Sequence, residues 1–219
     1  MATGPMCELA LLQLKDGITV DSPDIASKLK HVRDVRAKAS SKPFYFLHSI
    51  EEPDKLYMLG SWNSVDEHSQ ASLNLAELYS CLQADKFVAS EDNEALRQTL
   101  RDQLDILNIL HFLWDEQPPI PSADQVLAIA KHAVPQGTDE EFEQAFEPAM
   151  ALIEKTVPAK AVWAVEQDAK GNHQWVVFSV WDSPQAHYTF AGTEEFAKVG
   201  LPVKDKVDGS EFKHATLFV

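Results

Sequence analysis

The chain of 219 residues is poor in the residue types that several functional classes require. It contains eight glycines, so a glycine-rich loop that cradles phosphate groups is not expected. Its two cysteines, Cys7 and Cys81, are too few for a disulfide framework and are predicted to be buried thiols. No run of residues is long and apolar enough to span a bilayer, and no secretory signal pattern opens the chain. A cytoplasmic location is therefore the default expectation.

Positive charge is also scarce. The formal net charge is −15, and only four arginines occur, all expected on helix surfaces: Arg33, Arg36, Arg97 and Arg101. Nucleic acids and anionic membranes are bound chiefly by lysine and arginine, so neither is an expected partner. No His-x-x-x-His pair, acidic cluster with ligand spacing or dinucleotide fingerprint is found. The sequence therefore predicts no bound metal and no organic cofactor.

What the sequence does contain is one order of elements written twice. Each half has an apolar strand, a helix, two strands joined by a turn, a second helical region and a last strand. The predicted strands are 7–15, 43–50, 55–62 and 107–114 in the first half, and 124–132, 161–167, 173–181 and 212–219 in the second. This order is that of a ferredoxin-like unit. The predicted repeats are residues 1–114 and 124–219, joined by a proline-containing linker at 115–123.

The strands are apolar on both faces rather than alternating with polar residues, which indicates that both faces are covered. One helix layer covers only one face of each sheet. The sequence therefore predicts an α+β fold in which two ferredoxin-like repeats pack sheet to sheet within one chain and form a barrel.

A short motif recurs where the third strand of each half ends. The first copy is Trp62, Asn63, Ser64 and then His68, and the second is Trp181, Asp182, Ser183 and then His187. The serines fit helix N-caps, with Pro184 in the first helical position of the second copy. Capping explains the serines but not the histidines.

Two interpretations of the motif remain open at this stage. His68 and His187 face inward, and each is either a core histidine that bonds one carbonyl or a general base. Trp62 and Trp181 either fill the core or line a space. His48 shares a strand face with two phenylalanines and is a further candidate. The remaining histidines, among them His132 and His214, are expected at helix surfaces, strand ends or turns without a role.

The stretch "VVFSVWDSPQAHYTFAGTEEF" and the order of elements resemble the antibiotic biosynthesis monooxygenase (ABM) family of dimeric α+β barrels. The resemblance implies a fused tandem forming an intrachain pseudo-dimer, with room for further homodimerisation. It also implies a monooxygenase (an oxidoreductase) of secondary metabolism that oxidises aromatic phenols or anthrones of polyketide origin without a cofactor. Decarboxylases, cyclases and isomerases share the barrel, as do non-catalytic binding or stress-type barrels, so these alternatives stay open. Haem-degrading enzymes share it too, but the stretch "EEFAKVG" has no histidine at the place where haem-binding members carry one, which argues against haem.

The candidate catalytic residues are thus His68, Trp62, Asn63, His48, His187 and Trp181, acting on a small aromatic substrate. The resemblance supplies the roles of Trp62 or Trp181 and of Asn63 or Asp182. A long helix predicted at 64–83 would cover the first repeat and exclude water, and for that reason the site is predicted in the first repeat.

Overall fold

The computed structural model describes residues 5–22, 24–63, 98, 100–114 and 116–219. The chain divides into two compact units. The first ends at Gln117 and also takes in Phe218–Val219, whereas the second comprises Pro118–Leu217. Phe218 and Val219 reach the first unit through backbone hydrogen bonds with Phe46, of which the shortest are 2.8 and 2.9 Å.

Among its described residues, the first unit contains four antiparallel strands and a helix. Its elements are β1 (Met6–Leu14), α1 (Ile25–Ser40), β2 (Phe44–Ser49), β3 (Lys55–Trp62) and β4 (Leu104–Phe112). The strand order is β4-β1-β3-β2. The last strand of the unit thus pairs with the first, as a ferredoxin-like connection requires.

The second unit repeats this arrangement. Its elements are β5 (Val126–Val134), α2 (Asp139–Thr156), β6 (Ala159–Trp163), β7 (His173–Trp181), α3 (Pro184–Ala191), α4 (Glu194–Lys204) and β8 (Gly209–Leu217). Its strand order, β8-β5-β7-β6, matches that of the first unit strand for strand. The predicted α+β class with two ferredoxin-like repeats is confirmed, while the packing of the two sheets against each other stays a prediction.

A helix covers one face of each sheet through a regular apolar stripe. The buried residues of α1 include Ile25, Leu29 and Val32, and those of α2 are Phe142, Phe146, Ala149 and Ile153. The intervals of four and three residues coincide, so the two helices present the same face to their sheets.

No helix among the described residues is long and apolar enough to cross a membrane.

The sequence also predicts a cap at Ser22 before α1, a capping box of Thr138 and Glu141 before α2, and only a brief turn restarting at Thr193, and the structure differs at each of these helix starts. Helix α1 begins at Ile25 rather than directly after Ser22, because the Ser22 hydroxyl accepts a hydrogen bond from the Thr19 backbone N–H at 3.0 Å within the preceding turn. Thr138 is the N-cap residue of α2 as predicted, but its hydroxyl donates to the Pro135 carbonyl instead of accepting a helix N–H. A brief turn was predicted after Gly192, but Thr193 caps an 11-residue helix there.

Of the two cysteines predicted to be buried, Cys7 lies among the described residues. Cys7 is fully buried in β1, and burial raises the pKa of its thiol to about 12. This cysteine is therefore protonated and unreactive at neutral pH. Cys81 and the predicted helix at 64–83 lie outside the described residues.

Candidate functional site

The junction between β7 and α3 positions the second copy of the motif. Ser183 is the N-cap of α3, and its hydroxyl accepts a hydrogen bond from the Ala186 backbone N–H at 3.1 Å. Pro184, with its fixed φ, occupies the first helical position as predicted. The cap turns the chain sharply, so that His187 on the first turn of the helix faces back towards the sheet.

The imidazole of His187 lies between an indole and a second imidazole. It stacks on Trp181 with ring centroids 4.9 Å apart and an interplanar angle of 24°. On its other side, its Nδ1 lies 2.9 Å from Nε2 of His214 on β8. One of these two nitrogens carries the hydrogen that the other accepts, so the hydrogen bond fixes the tautomers of the two rings relative to each other.

His214 was predicted at a helix surface, strand end or turn, and that placement was wrong. It is fully buried and pairs with Ala128 across the sheet. The prediction for His132, which is buried within β5, was wrong in the same way. A signal for His214 existed in the sequence, because each half carries a histidine in its last strand. The other is His111, which pairs with Glu8 at the corresponding place in the first sheet.

The Trp181 indole is held rigidly beside the histidine pair. Its side chain is buried, and its Nε1–H donates to the Ser179 hydroxyl two residues earlier at 2.8 Å. The ring of Phe190 on α3 packs at 5.0 Å from the indole on centroids. A flat aromatic surface is thus fixed at one end of the sheet, beneath α3.

The surroundings of His187 hold its imidazole uncharged. Burial, and to a smaller extent the neighbouring His214, lowers the pKa of His187 to about 4. At neutral pH the ring therefore offers a nitrogen lone pair and an N–H rather than a positive charge. Tyr188 and Phe212 lie beside the histidine pair and are 50% and 46% exposed, so they form an aromatic rim between the site and solvent.

In the first repeat, the described candidate residues are engaged in local contacts. Asn63 donates from its side-chain amide to the Ser40 carbonyl at the end of α1, at 2.7 Å. The Pro53 carbonyl, in the turn between β2 and β3, accepts a hydrogen bond of 2.8 Å from Nε2 of His48. His48 pairs with Leu56, at the far end of β3 from Trp62. His68, the remaining candidate, lies outside the described residues.

The sequence of the second repeat matches a known family. Residues 125–199 match the family model of the antibiotic biosynthesis monooxygenases. The second repeat therefore carries an ABM domain. No match was found among curated protein sequences.

Solved structures resemble the chain over nearly its whole length. A candidate monooxygenase from Fusobacterium nucleatum aligns with 100% of this chain and 94% of its own at 9% identity, with a TM-score of 0.64. An anthrone oxidase-like protein aligns with 97% of this chain and 91% of its own at 12% identity, with a TM-score of 0.57. A candidate chlorite dismutase aligns with 97% of this chain and 94% of its own at 11% identity, with a TM-score of 0.56. At these identities the likeness shows the fold alone, here the tandem ferredoxin-like fold.

The two repeats differ in the residues that lie beside the motif tryptophan. Strand register pairs Phe44 with Gly60 in the first repeat and Ala159 with Ser179 in the second, so these pairs correspond. A Cβ atom on Gly60 would lie 2.1 Å from the Phe44 ring. That ring also packs edge-on against Trp62 at 5.4 Å. A phenylalanine ring thus fills the place that small residues occupy in the ABM domain.

The described residues contain no group of three or more His, Cys, Asp or Glu side chains arranged to hold a metal ion. What the second repeat brings together is an indole, two imidazoles and a hydroxyl. These groups can bind an aromatic ring by stacking and can exchange hydrogen bonds or a proton with a phenolic hydroxyl.

Proposed function

We propose that the chain is a cofactor-independent monooxygenase of flat aromatic phenols or anthrones and that the second repeat holds its active site. The observation that carries this proposal is the neutral His187 imidazole, stacked on Trp181 and hydrogen-bonded to the buried His214. The match of the same residues to the monooxygenase family supports it. The prediction of a site in the first repeat around His68 remains untested.

The half-exposed rings of Tyr188 and Phe212 are proposed to bind the flat face of the substrate at the rim of the site. Offset stacking of aromatic rings contributes about 0.5–1.5 kcal/mol beyond the burial of apolar area. Trp181 is proposed to hold the stacked His187 ring in place, because Ser179 holds the indole nitrogen and Phe190 packs on the indole.

His187 is proposed to accept the phenolic proton. If its Nδ1–H donates to His214, its Nε2 keeps a lone pair that can accept the substrate hydroxyl. An imidazole whose pKa is about 4 is a weak base in the empty site. The negative charge that develops on the substrate oxygen favours the protonated ring, however, and raises the pKa of His187 as the proton moves.

The remaining chemistry belongs to the substrate. The electron-rich anion reduces dioxygen, one oxygen atom enters the ring carbon, and the other leaves as water. For an anthrone, the CH₂ carbon that becomes the quinone carbonyl supplies all four electrons. The protein binds the ring, holds the proton and keeps water away from the anion, which strengthens the electrostatic interactions in the site.

The test compares two histidines with 1,8-dihydroxyanthrone as substrate. We expect His187→Ala to lower the rate of quinone formation about 10²–10⁴-fold, the range for loss of a general base. His48→Ala, which removes a turn contact in the first repeat, is the matched control and should stay within about twofold. Circular dichroism checks that both variants are folded. A full rate with His187→Ala, or a loss confined to His48→Ala, contradicts the assignment.

The alternatives predict different products. A monooxygenase transfers one atom of ¹⁸O-labelled dioxygen into the product, whereas a decarboxylase releases carbon dioxide and a cyclase or isomerase consumes no dioxygen. A non-catalytic binding barrel would be stabilised against heat by the anthrone without turning it over, because a ligand that binds only the folded state raises the unfolding midpoint.

A further inference from the structure

A serine and a histidine meet across neighbouring strands of the second repeat. Ser210 on β8 lies opposite His132 on β5, and its hydroxyl oxygen lies 2.8 Å from Nδ1 of the imidazole. His132 is 7% exposed, whereas Ser210 is exposed at the start of β8. A hydroxyl that solvent can reach is therefore joined to an imidazole that is almost wholly withdrawn from solvent.

Aromatic rings surround the imidazole of His132. Phe142 and Phe146 of α2 lie 6.1 and 5.4 Å from it on ring centroids, and Phe212 of β8 lies edge-on at 5.8 Å. Burial lowers the pKa of His132 to about 4, so the ring is uncharged at neutral pH. One of its nitrogens then carries a hydrogen and the other a lone pair. When Nδ1 keeps the lone pair, it accepts the hydroxyl hydrogen of Ser210.

The first repeat has apolar residues at the two corresponding positions. The motif tryptophans pair with the residues six positions before Leu12 on β1 and six positions before His132 on β5, so Leu12 corresponds to His132. Ile106 lies opposite Leu12, as Ser210 lies opposite His132. Leu12 belongs to the apolar core under α1. The same fold is thus built with an apolar pair at this place, and the serine and histidine are not a requirement of the fold.

A hydroxyl held on the lone pair of an imidazole is the arrangement that activates a serine towards a carbonyl carbon. A serine hydroxyl is a weak nucleophile by itself. A neighbouring base that takes the proton during the attack makes it a stronger one. The nucleophile must be accessible and the base uncharged, and Ser210 and His132 meet these two conditions.

We propose that Ser210 is a nucleophile that accepts the acyl group of an aryl ester, with His132 as its general base. Oγ of Ser210 forms a bond to the carbonyl carbon, and its proton passes to Nδ1 of His132. The bond between the carbonyl carbon and the aromatic oxygen then breaks, and the leaving phenolate takes the proton from His132. The products are an acyl-serine and a phenol, and no oxidant or reductant is consumed.

Phe212 favours an ester with an aromatic leaving group. It follows Ser210 by two residues, so both side chains lie on the same face of β8, and its ring is 46% exposed. An aromatic ring of the ester can stack on this surface. A phenol has a pKa of about 10, as tyrosine does, so a phenolate leaves with little help from an acid. This suits an imidazole as weakly basic as that of His132.

Acetylation of the full chain by 4-nitrophenyl acetate tests the site. Absorbance follows the release of 4-nitrophenolate, and peptide mass spectrometry locates the acetyl group. We expect a burst of one equivalent of 4-nitrophenolate and one acetyl group on Ser210. Ser122 is the internal control, because it is also exposed but its hydroxyl donates to the Asp124 carboxylate instead of an imidazole. It should stay unmodified.

Three variants assign the roles. Ser210→Ala should abolish the burst. His132→Leu copies the first repeat and should slow acetylation of Ser210 about 10²-fold, the lower end of the range for a general base, since the imidazole is a weak one. His173→Gln is the matched control, because it changes a surface histidine of the same repeat that is bonded to Asp139. It should be acetylated within about twofold of the wild-type rate.

Each opposite result overturns the proposal. Acetylation confined to lysines or to the chain terminus would show that Ser210 is not activated. An unchanged rate at Ser210 in His132→Leu would show that the imidazole is not its base. If circular dichroism shows that His132→Leu is unfolded, His132→Gln keeps a hydrogen-bonding side chain without a basic nitrogen, and it must still slow the reaction. The assay contains no anthrone, so its outcome is independent of the oxygenase activity proposed for the same repeat.

Discussion

The two repeats share one fold but fill the same end of their sheets in opposite ways. In the first, a phenylalanine ring lies on a glycine and a buried ion pair joins sheet to helix. In the second, Ala159 and Ser179 are small, and His187, hydrogen-bonded to His214, stacks on the indole. The strand order and the helix stripe are common to both, so they are what the fold requires. The end of the sheet is free to carry different chemistry.

The motif tryptophan illustrates this freedom. Trp62 is packed edge-on by Phe44 and belongs to the large core cluster under α1. Trp181 instead donates its ring hydrogen to Ser179 and presents its face to His187. The same residue in the same position is a packing element in one repeat and, in our proposal, the support of the base His187 in the other.

Exchanging the residue two positions before the tryptophan should break the comparison most severely. Gly60→Ser places a Cβ atom 2.1 Å from the Phe44 ring, which neither side chain can avoid without a shift of the core. We expect a loss of about 3 kcal/mol or more in the free energy of unfolding, measured by urea denaturation. The reverse change, Ser179→Gly, removes the partner of the Trp181 N–H and should cost about 1–2 kcal/mol.

A double variant shows whether the Phe44 ring is the cause. Phe44→Ala alone should cost about 3–5 kcal/mol through the cavity it leaves. Combined with Gly60→Ser, it removes the clash, so the double variant should lose clearly less than the sum of the two single losses. Strict additivity would mean that Phe44 and Gly60 are not coupled and that the ring does not explain the difference between the repeats.

The second repeat should be sensitive to acid through its buried histidines. Burial lowers the pKa of His132 to about 4, among the rings of Phe142, Phe146 and Phe212. The unfolded chain binds this proton near pH 6.5 and the folded chain only near pH 4, so stability is lost as pH falls through this window. For His132 the full loss is about 3 kcal/mol.

The measurement is urea denaturation of the full chain between pH 7 and pH 4, followed by tryptophan fluorescence. His132→Phe should flatten the pH dependence, because the ionisable ring is gone. The lowered pKa of His187 also makes the free energy of unfolding fall as the pH falls. Some pH dependence should therefore remain until that histidine is also replaced. A slope unchanged in His132→Phe would show that other groups cause the acid sensitivity.

The sequence predicts most where the signal is local. The order of strands and helices, the Ser183 cap with Pro184, and the inward direction of His187 all follow from spacing over a few residues. His214 could not be placed in this way, because its partner is 27 residues away along the chain and depends on which strands pair. Such a contact becomes visible only when the strand register is known.

Arg36 shows what the apolar pattern of a helix does not reveal. The apolar stripe Ile25, Leu29 and Val32 predicts Val35 as its next member and Arg36 on the helix surface. Val35 does pack against the core cluster, but Arg36, four residues after Val32, also turns towards the sheet and reaches Glu8. A spacing of either three or four residues keeps a side chain on one face of a helix, so pattern alone does not choose between them.

The smallest effect concerns the two serines that were predicted as helix caps, one in each repeat. The Ser183 hydroxyl accepts the Ala186 backbone N–H at the start of α3, whereas that of Ser22 accepts the Thr19 backbone N–H in a surface turn before α1. Ser183→Ala leaves a helix N–H without its partner and should cost about 1 kcal/mol, the usual value for a lost cap. Ser22→Ala removes only an exposed turn contact and should stay within about 0.5 kcal/mol. Urea denaturation of both single variants measures the difference. Equal losses would mean that Ser22 also supports its helix, and the contrast between the two helix starts would then disappear.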